Sequence, residues 1–502
     1  MNRYFFILIL WAVLLLTFSC GTKTETLDEP VLAQVGDRVI TVNDFIRRSE
    51  YTIRPEWCRG ETNVHKMIVL NSLIAEKLLA IEAADAAEIL QKQEIRNYLR
   101  GRKEQEMRQL YFQKMAMDKV SLNEMELNNS LLLAERTYDT QFIAINSDSL
   151  ADLITEDLKN GVLSYEQILS ELSERGMEFP VKKVTFETSV DDVIHKSLFQ
   201  NPVTKGQVIG PLRVDKNRNV LIKVNGWIHS PVISTVKAEQ LRHDVVTKMR
   251  EIKGRDIYAG HIKSLMSGKR LEFNEKTFKA LVNSVGPLYF RPAAERHKSL
   301  KNRFWNIEDS TALSIDDVSG RVDDILDEPL FTIDGTSWTV KDFETELQSH
   351  PLVFRRQKFS KAEFAEQFQL AIADLIRDHY ISKAAYEMDL DKDPRVQQKT
   401  QTWQDNLSAL YEREQLLKDK NVKDLSGYEV VTKYLDSYFD NLSKKYSDQI
   451  SINVEAFDKI QLTKIDVLAL QENVPFPVYV PQFPQLTTFN SLDYGQKMKK
   501  EN

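Results

Sequence analysis

Hydrophobic and polar residues alternate along the stretch VLAQVGDRVIT, which spans residues 31–41. A period of two is typical of a β-strand with one buried face, and the central Gly36 and Asp37 favour a tight turn. We therefore predict a small hairpin here. Thr41 is a good N-cap, and Asp44 completes a weak capping box, so the pattern predicts a helix in VNDFIRRSEY.

Two longer helices are predicted downstream, where apolar residues recur at steps of three and four. The stretch NVHKMIVLNSLIAEKLLAIEAADAAEI has one such apolar face. Its members are Leu70, Leu73, Ile74, Leu78 and Ile81. The stretch KQEIRNYLRGRKEQEMRQLYFQKMA is more charged and has a sparser apolar stripe, so the second helix is predicted to be the more polar one.

The same order of features returns almost three hundred residues later. LFTIDGTSWTVKDF at residues 330–343 aligns without a gap with LAQVGDRVITVNDF at residues 32–45, and similar helical stretches follow. Residues 258–278 and 434–457 also correspond, since each contains a helix, a basic turn, a short strand with Asn and an aromatic residue. We predict two copies of one helical module, each of which buries its apolar faces as a unit.

The first copy is interrupted at about residues 135–230. YDTQFIAI reads as a strand, SLADLITEDLKNG and SYEQILSELSERG as two helices, and GQVIGPLRVDKNRNVLIKVNGW as a strand pair. This mixture predicts a small α+β domain inserted into the helical module.

Composition narrows the classes of function. At 502 residues the chain is too long for one core. Hydrophobic content of 42% and charged content of 28% are typical of a folded globular protein. The net charge of −7, without a long basic run, argues against a nucleic-acid partner.

The N-terminus has the features of a secretory signal. Arg3 precedes the apolar stretch FFILILWAVLLLTFSC, which is short for a membrane span, and a small residue stands before Cys20. The ending Ser19-Cys20-Gly21 resembles a bacterial lipoprotein signal, in which Cys20 would be lipidated. Thr17 stands where such signals usually have Leu, so a cleaved signal peptide and an uncleaved anchor stay open.

Cys58 is the only other cysteine, so a disulfide framework is excluded. We expect its thiol to be a half-buried, unreactive side chain.

Two stretches carry a resemblance to a known family. VGDRVITVNDF, followed by LNSLIAEKLLAIEA, resembles the opening of the helical chaperone domain in the SurA/PrsA class of bacterial extracytoplasmic foldases. HKSLFQNPVTKGQVIGPLRVDKNRNVLIKV is similar to the C-terminal half of the parvulin-type peptidyl-prolyl isomerase domain that this family carries as an insert. The resemblance implies a mainly α, α+β fold, with SurA-like helical chaperone modules in tandem and an inserted parvulin-like domain.

The resemblance also implies a domain organisation along the chain. The expected segments are a lipoprotein signal peptide (1–20), a first SurA-like module (21–134 plus 231–285), a degenerate parvulin-like domain (135–230), a linker (286–328), a second SurA-like module (329–465) and a Pro/aromatic-rich tail (466–502).

The isomerase site implied by the resemblance is degenerate. Gln141 and Val220 stand where parvulins carry histidines, and Ile194 occupies a pocket position that is not aromatic here. The family's glycine-rich stretch is replaced by KKVTF, and His195 lies one residue away from the pocket position. Prolyl isomerisation needs a pocket that binds the twisted amide best. A pocket that only binds peptide and a pocket that also catalyses isomerisation both stay open.

The sequence contains no motif for metal binding, nucleotide binding or nucleophilic catalysis. The eight histidines form neither an i, i+4 pair nor an H-E-x-x-H motif, and nucleotide-binding and nucleophile-elbow motifs are missing. DLDKDP at residues 389–394 begins like a calcium loop, but Pro394 replaces the turn glycine and Thr400 replaces the bidentate Glu. We therefore expect a polar turn there, and neither a metal nor a cofactor.

The stretch NVPFPVYVPQFPQL places four prolines among aromatic and aliphatic residues near the C-terminus. Proline favours extended, polyproline-like structure over helix. The apolar side chains predict that this tail either packs back on a module or binds in a partner's groove.

Together these features predict a membrane-anchored periplasmic chaperone or foldase that resembles peptidyl-prolyl isomerases. Its partners would be unfolded or nascent secreted and outer-membrane polypeptides, and its place the cell envelope, on the outer membrane facing the periplasm. The alternative is a non-catalytic scaffold subunit that docks through its tail on an envelope assembly or secretion complex.

Overall fold

The computed structural model describes most of the chain. The described residues are 29–83, 87–174, 178–188, 190–215, 218–291, 312–313, 322–350, 352–356, 359–422, 425–462 and 478–498. Cys20 and the signal segment lie outside them, as do most of the predicted linker 286–328 and the first part of the tail. The fold is mainly helical with small, mostly antiparallel sheets. This confirms the predicted fold class at the level of a mainly α, α+β protein.

Helices and strands follow one another along the chain in three segments. The first segment contains β1 (Val31–Val35), β2 (Arg38–Thr41), α1 (Val42–Glu50), α2 (Asn63–Glu82), α3 (Ala87–Leu90) and α4 (Gln93–Met115). The middle segment contains α5 (Glu124–Ala134), β3 (Arg136–Ile145), α6 (Asp148–Lys159), α7 (Tyr165–Glu174), β4 (Lys182–Val184), α8 (Asp192–Phe199), β5 (Val208–Asp215), β6 (Arg218–His229) and α9 (Thr235–Leu265).

The last segment begins with β7 (Glu272–Phe273), α10 (Glu275–Tyr289), β8 (Ala312–Leu313), β9 (Pro329–Ile333), β10 (Thr336–Thr339), α11 (Val340–Leu347), β11 (Leu352–Val353), α12 (Phe364–Glu387) and α13 (Pro394–Asp419). It ends with α14 (Gly427–Val430), a π-helical turn (Val431–Leu435), α15 (Asp436–Lys445), β12 (Ile450–Ile452), α16 (Val454–Lys459) and β13 (Gln496–Lys497).

The chain divides into two compact units. Unit 1 comprises Met1–Tyr111 and Met266–Asn502, and unit 2 comprises Phe112–Leu265. The predicted insert at 135–230 is therefore the centre of a larger unit, which also takes in α5 and α9 from the expected first module. The reason is that these two helices pack on each other and bury their apolar sides together with the sheet of unit 2.

Both copies of the repeated phrase form a hairpin followed by a capped helix. Thr41 Oγ1 accepts a hydrogen bond from the Asp44 amide at 3.0 Å, and Thr339 Oγ1 accepts one from the Asp342 amide at 3.1 Å. In each case the Asp side chain also accepts from the Thr amide, which completes a capping box. The first hairpin turns at Gly36, whose φ of +60° is left-handed and favours glycine. The predicted hairpins and caps are thus confirmed.

The short strands near the end of each copy, β7 and β12, are exchanged: each pairs with the hairpin of the other copy. β1 pairs with β12, with Ala33 opposite Ile452, whereas β9 pairs with β7, with Phe331 opposite Phe273. Two equivalent backbone hydrogen bonds stabilise these pairings. They run from Asn453 N to Leu32 O at 2.8 Å and from Asn274 N to Leu330 O at 2.9 Å. The prediction grouped 21–134 with 231–285 in the first module. In the structure each hairpin is instead extended by the strand that ends the other copy.

This exchange produces two main hydrophobic cores within unit 1. The first combines β1, β2, α1 and α2 with residues of the 430–462 segment and with Phe483 and Leu486 of the tail. The second combines α10 with β9, β10, α11 and α12. Val322 is buried in this second core, and Ile325 and Leu326 pack on it, so apolar residues at the end of the segment predicted as a linker contact this core. Neither core can form from one copy alone.

Unit 2 contains one four-stranded sheet in the order β4-β3-β6-β5. One face packs on α5, α8 and α9, and the other on α6 and α7. The strand pair predicted in 206–227 is confirmed, with Asp215 opposite Arg218. Ion pairs tie α9 to α8, since the Arg255 guanidinium donates to both Asp192 oxygens at 2.6 and 2.9 Å.

Candidate functional site

The three residues of the expected isomerase pocket do not converge. Gln141 lies opposite Lys223 on the sheet of unit 2, and Val220 lies three positions away along β6, opposite Ala144. Since successive residues of a strand point to opposite faces, Gln141 and Val220 lie on different faces of the sheet. Gln141 Nε2 donates to the carbonyl of Phe179 at 2.9 Å. No shared slot therefore joins these two positions.

Ile194 lies on the same side of the sheet as Val220, but inside the hydrophobic core. It is 5% exposed on α8, and Val220 packs against the same cluster. The arrangement is that of a helix packed on a sheet, and not of an open pocket wall.

His195, next to Ile194, is also buried. Its Nε2 lies 3.1 Å from the carbonyl oxygen of Phe186, and its ring packs between Phe186 and Phe199. Burial lowers the pKa of His195 to about 4, so the imidazole is neutral at physiological pH. Its Nδ1 has no hydrogen-bond partner among the described residues. A neutral ring enclosed by aromatic side chains is suited to packing and not to proton transfer with a substrate.

Cys58 is fully buried rather than half-buried as predicted. Burial raises the pKa of its thiol to about 12, although Arg54 lies nearby and opposes the shift. The thiolate is the reactive form of cysteine, so this residue is a poor nucleophile.

The expected turn at residues 389–394 is confirmed as a polar connection between α12 and α13. Asp389 has a left-handed φ of +56°, Asp393 caps α13 and Pro394 is its first residue. Within the described residues, no group of three or more His, Cys, Asp or Glu side chains is placed to hold a metal ion.

Unit 2 exposes large apolar side chains on neighbouring elements. Met125 and Leu132 lie two turns apart on α5, and Ile228, Ile233 and Val236 lie where β6 leads into α9. Ile233 is 95% exposed and Met125 is 72% exposed. α5 and α9 contact each other, so these residues lie on adjoining elements of unit 2. We call them the apolar surface of unit 2; such surfaces mark interaction sites in soluble proteins.

A second notable group is a buried acid–histidine cluster in unit 1. His350 Nε2 lies 2.6 Å from the Glu104 carboxylate and 3.8 Å from that of Glu346. Tyr386 donates to Glu104 at 3.2 Å, and His379 lies 3.3 Å from Glu346. The cluster joins α4 of the first copy to α11 and α12 of the second copy. The sequence offered no signal for it, because its members lie about 250 residues apart.

This cluster predicts an acid-sensitive junction in unit 1. Burial alone would raise the pKa of Glu104, but the hydrogen bond from His350 and the charges of His350, Arg108 and Arg100 lower it. A carboxylate with a lowered folded pKa contributes stability above its unfolded pKa, and this contribution is lost as pH falls through the folded value. The junction should therefore weaken below about pH 4.5.

The test is urea unfolding of Glu104→Gln at several pH values. We expect this variant to lose about 2 kcal/mol near neutral pH, where a charge-assisted hydrogen bond is removed, and to depend less on pH in the acid range. Glu94→Gln, an exposed position on the same helix, should match the natural chain at every pH. An acid dependence of Glu104→Gln as steep as that of the natural chain would contradict the assignment.

No protein-family model matches the chain, and no curated protein sequence matches it. Within the described residues, no helix combines the length and apolar character that a membrane span requires.

Proposed function

We propose that the chain is a chaperone of the bacterial cell envelope, resembling the SurA/PrsA foldases, that holds unfolded secreted or outer-membrane polypeptides. The apolar surface of unit 2 carries the proposal. An unfolded chain offers apolar side chains at irregular spacing, and an exposed set of flexible and aliphatic side chains such as Met125, Leu132 and Ile233 contacts them without a fixed register.

The proposal includes binding without catalysis of prolyl isomerisation. Gln141 and Val220 lie on opposite faces of the sheet, and Ile194 is buried in the core. This placement favours a parvulin-like domain that has kept its outline and lost the polar, shaped slot that the reaction needs. A chromogenic proline-peptide assay should show no acceleration over the uncatalysed rate.

The proposed anchor is a lipid on Cys20, which would place the protein on the outer membrane facing the periplasm. The signal-like sequence before Cys20 supports this part of the proposal. Several acyl chains give stable anchoring, since each buried methylene contributes about 0.8 kcal/mol.

The test is suppression of aggregation of a urea-unfolded outer-membrane protein after dilution. We expect the natural chain to delay aggregation, and the triple variant Met125→Ser, Leu132→Asn, Ile233→Asn to lose most of this effect, because exposed apolar area is removed. The matched control is Asn128→Ser, Asn129→Ser, Thr235→Ser, which changes exposed polar residues on α5 and at the start of α9.

Equal suppression by the apolar variant and the control would reject the apolar surface as the binding site. No suppression by the natural chain at several-fold molar excess would reject the chaperone proposal as a whole. The scaffold alternative predicts a stoichiometric envelope partner and needs the tail to be available for docking, whereas its described residues pack on unit 1.

A further inference from the structure

Residues 478–494 of the C-terminal tail pack against the first hydrophobic core of unit 1, and we call the surface that they cover the groove. Residues 478–493 form neither helix nor strand. Gln482 and Gln485 are exposed, and the buried residues between and beside them are Pro481, Phe483, Pro484, Leu486 and Thr487. Gln482 and Gln485 are three residues apart, which is the length of one turn of a polyproline II helix. The tail thus contacts the groove in the way that a proline-rich ligand contacts its binding site.

Side chains of the groove bind carbonyl groups of the tail. A polyproline-like backbone has no internal hydrogen bonds, so its carbonyls are free to accept from a partner. The bonds are Arg48 Nη2 to Gln482 O at 2.8 Å, Asn406 Nδ2 to Gln482 O at 3.3 Å, and Asn71 Nδ2 to Phe489 O at 2.7 Å and to Ser491 O at 2.9 Å. Contacts of this kind recognise an extended backbone regardless of its side chains.

Two of these donors are held in place by contacts that do not involve the tail. Glu76 accepts from both terminal nitrogens of Arg48, at 3.0 and 2.8 Å, and from Asn406 Nδ2 at 2.6 Å. All three residues are buried, and Glu76 is fully so. Glu76 therefore orients Arg48 and Asn406 through contacts that are separate from their bonds to the tail.

Aromatic residues of the tail also contact side chains of the groove. The Phe439 ring contacts the rings of Phe489 and Tyr494, with centroids 5.4 and 5.7 Å apart. The Arg102 guanidinium lies 4.8 Å from the Trp403 ring and 5.6 Å from the Tyr479 ring. Aromatic-lined grooves with fixed donors are the usual binding sites of proline-rich segments.

Asp436 gives the groove a side-chain preference. Its carboxylate accepts from Thr487 Oγ1 at 2.8 Å, from the Thr488 amide at 2.8 Å and from Thr488 Oγ1 at 2.6 Å. Two adjacent hydroxyl side chains therefore fit this end of the groove better than two apolar ones.

We propose that this groove is a peptide-binding site for extended segments with proline and aromatic residues followed by two hydroxyl residues. Residues 478–494 occupy it as an intramolecular ligand that such a segment displaces. The site lies in unit 1 and shares no residue with the apolar surface of unit 2. Its test uses peptide binding, so it can succeed or fail independently of the chaperone proposal.

The experiment uses the full chain with Thr487→Val, Thr488→Val, which weakens the tail and leaves the groove unchanged. A fluorescently labelled peptide with the natural sequence of residues 478–494 is titrated, and its anisotropy is measured. We expect binding at least about tenfold tighter than to the natural chain, because an intramolecular competitor lowers the apparent affinity by the fraction of empty groove. Adding Asp436→Ala to the variant should remove this gain. Asn490→Ala, an exposed tail position, should behave as the natural chain does.

Hydrogen exchange on the same proteins decides whether the tail opens by itself. We expect the amides of residues 478–494 to exchange faster than those of α2 in the natural chain, and faster still in the double-valine variant. The proposal would be overturned if the tail amides were as protected as those of α2, or if their exchange were unchanged in the variant. It would also be overturned if the tail loosened without tighter peptide binding. Each of these results would make the tail a permanent part of the core.

Discussion

The variant Glu76→Gln is expected to lose about 3–5 kcal/mol of unfolding free energy, the usual cost of removing one partner of a buried ion pair. The carboxylate of Glu76 is fully buried, and its partner Arg48 is 3% exposed. Lys77 and Asp405 form a second buried pair beside it, at 2.9 Å. A neutral amide at position 76 would leave the Arg48 guanidinium buried without a counter-charge.

Urea unfolding followed by far-UV circular dichroism measures this loss. Lys444→Gln breaks an exposed ion pair with Asp440 on α15 and serves as the control, since exposed pairs contribute about 0–1 kcal/mol. A loss in Glu76→Gln no larger than in this control would show that the Arg48–Glu76 pair does not hold α1 and α2 together.

The variant Gly101→Ala should also destabilise unit 1, by about 1–3 kcal/mol as expected for overpacking against fixed atoms. An added Cβ on α4 would overlap the carbonyl oxygen of Ser349 and lie 2.7 Å from its carbonyl carbon. These are backbone atoms, so α4 has to move away. The contacts from Arg100 to Ser349 and from Glu104 to His350 would be strained by the same movement.

Gly260→Ala in α9 is the matched control for this prediction. An added Cβ there meets no atom within 4 Å, so the same substitution should stabilise the helix by about 0.5–1 kcal/mol through propensity. Hydrogen exchange should locate the effect of Gly101→Ala in α4 and in residues 346–350. Stabilisation by Gly101→Ala, as at Gly260, would mean that α4 does not approach Ser349 so closely.

Local structure was predictable because it depends on neighbours in sequence. The Thr41–Asp44 and Thr339–Asp342 caps and the turn at Gly36 each follow from residues within one helical turn. The small α+β region was predictable for the same reason, since its strands and helices have distinct hydrophobic periods. The single apolar face predicted for α2 was wrong, because residues 68–80 are all buried and the helix is enclosed on every side.

The candidate sites were less predictable, because they join residues that are far apart. The pocket of Gln141, Ile194 and Val220 was predicted from a resemblance and not from the spacing of residues. The sheet places Gln141 and Val220 on different faces. The acid–histidine cluster around Glu104 and the donors that bind the tail carbonyls involve pairs separated by hundreds of residues. Only the alternating prolines and aromatic residues of the tail signalled that it would be bound somewhere.

The sequence by itself determined that a hairpin-and-helix module occurs twice, where its helices begin, and that an α+β region separates its parts. The tertiary structure alone decided that β12 extends the first hairpin and β7 the second. The closing segments resemble each other, so local pattern does not distinguish their partners. The choice depends on which arrangement buries the apolar faces of both copies and of Phe483 and Leu486 together, and that burial is a property of the whole of unit 1.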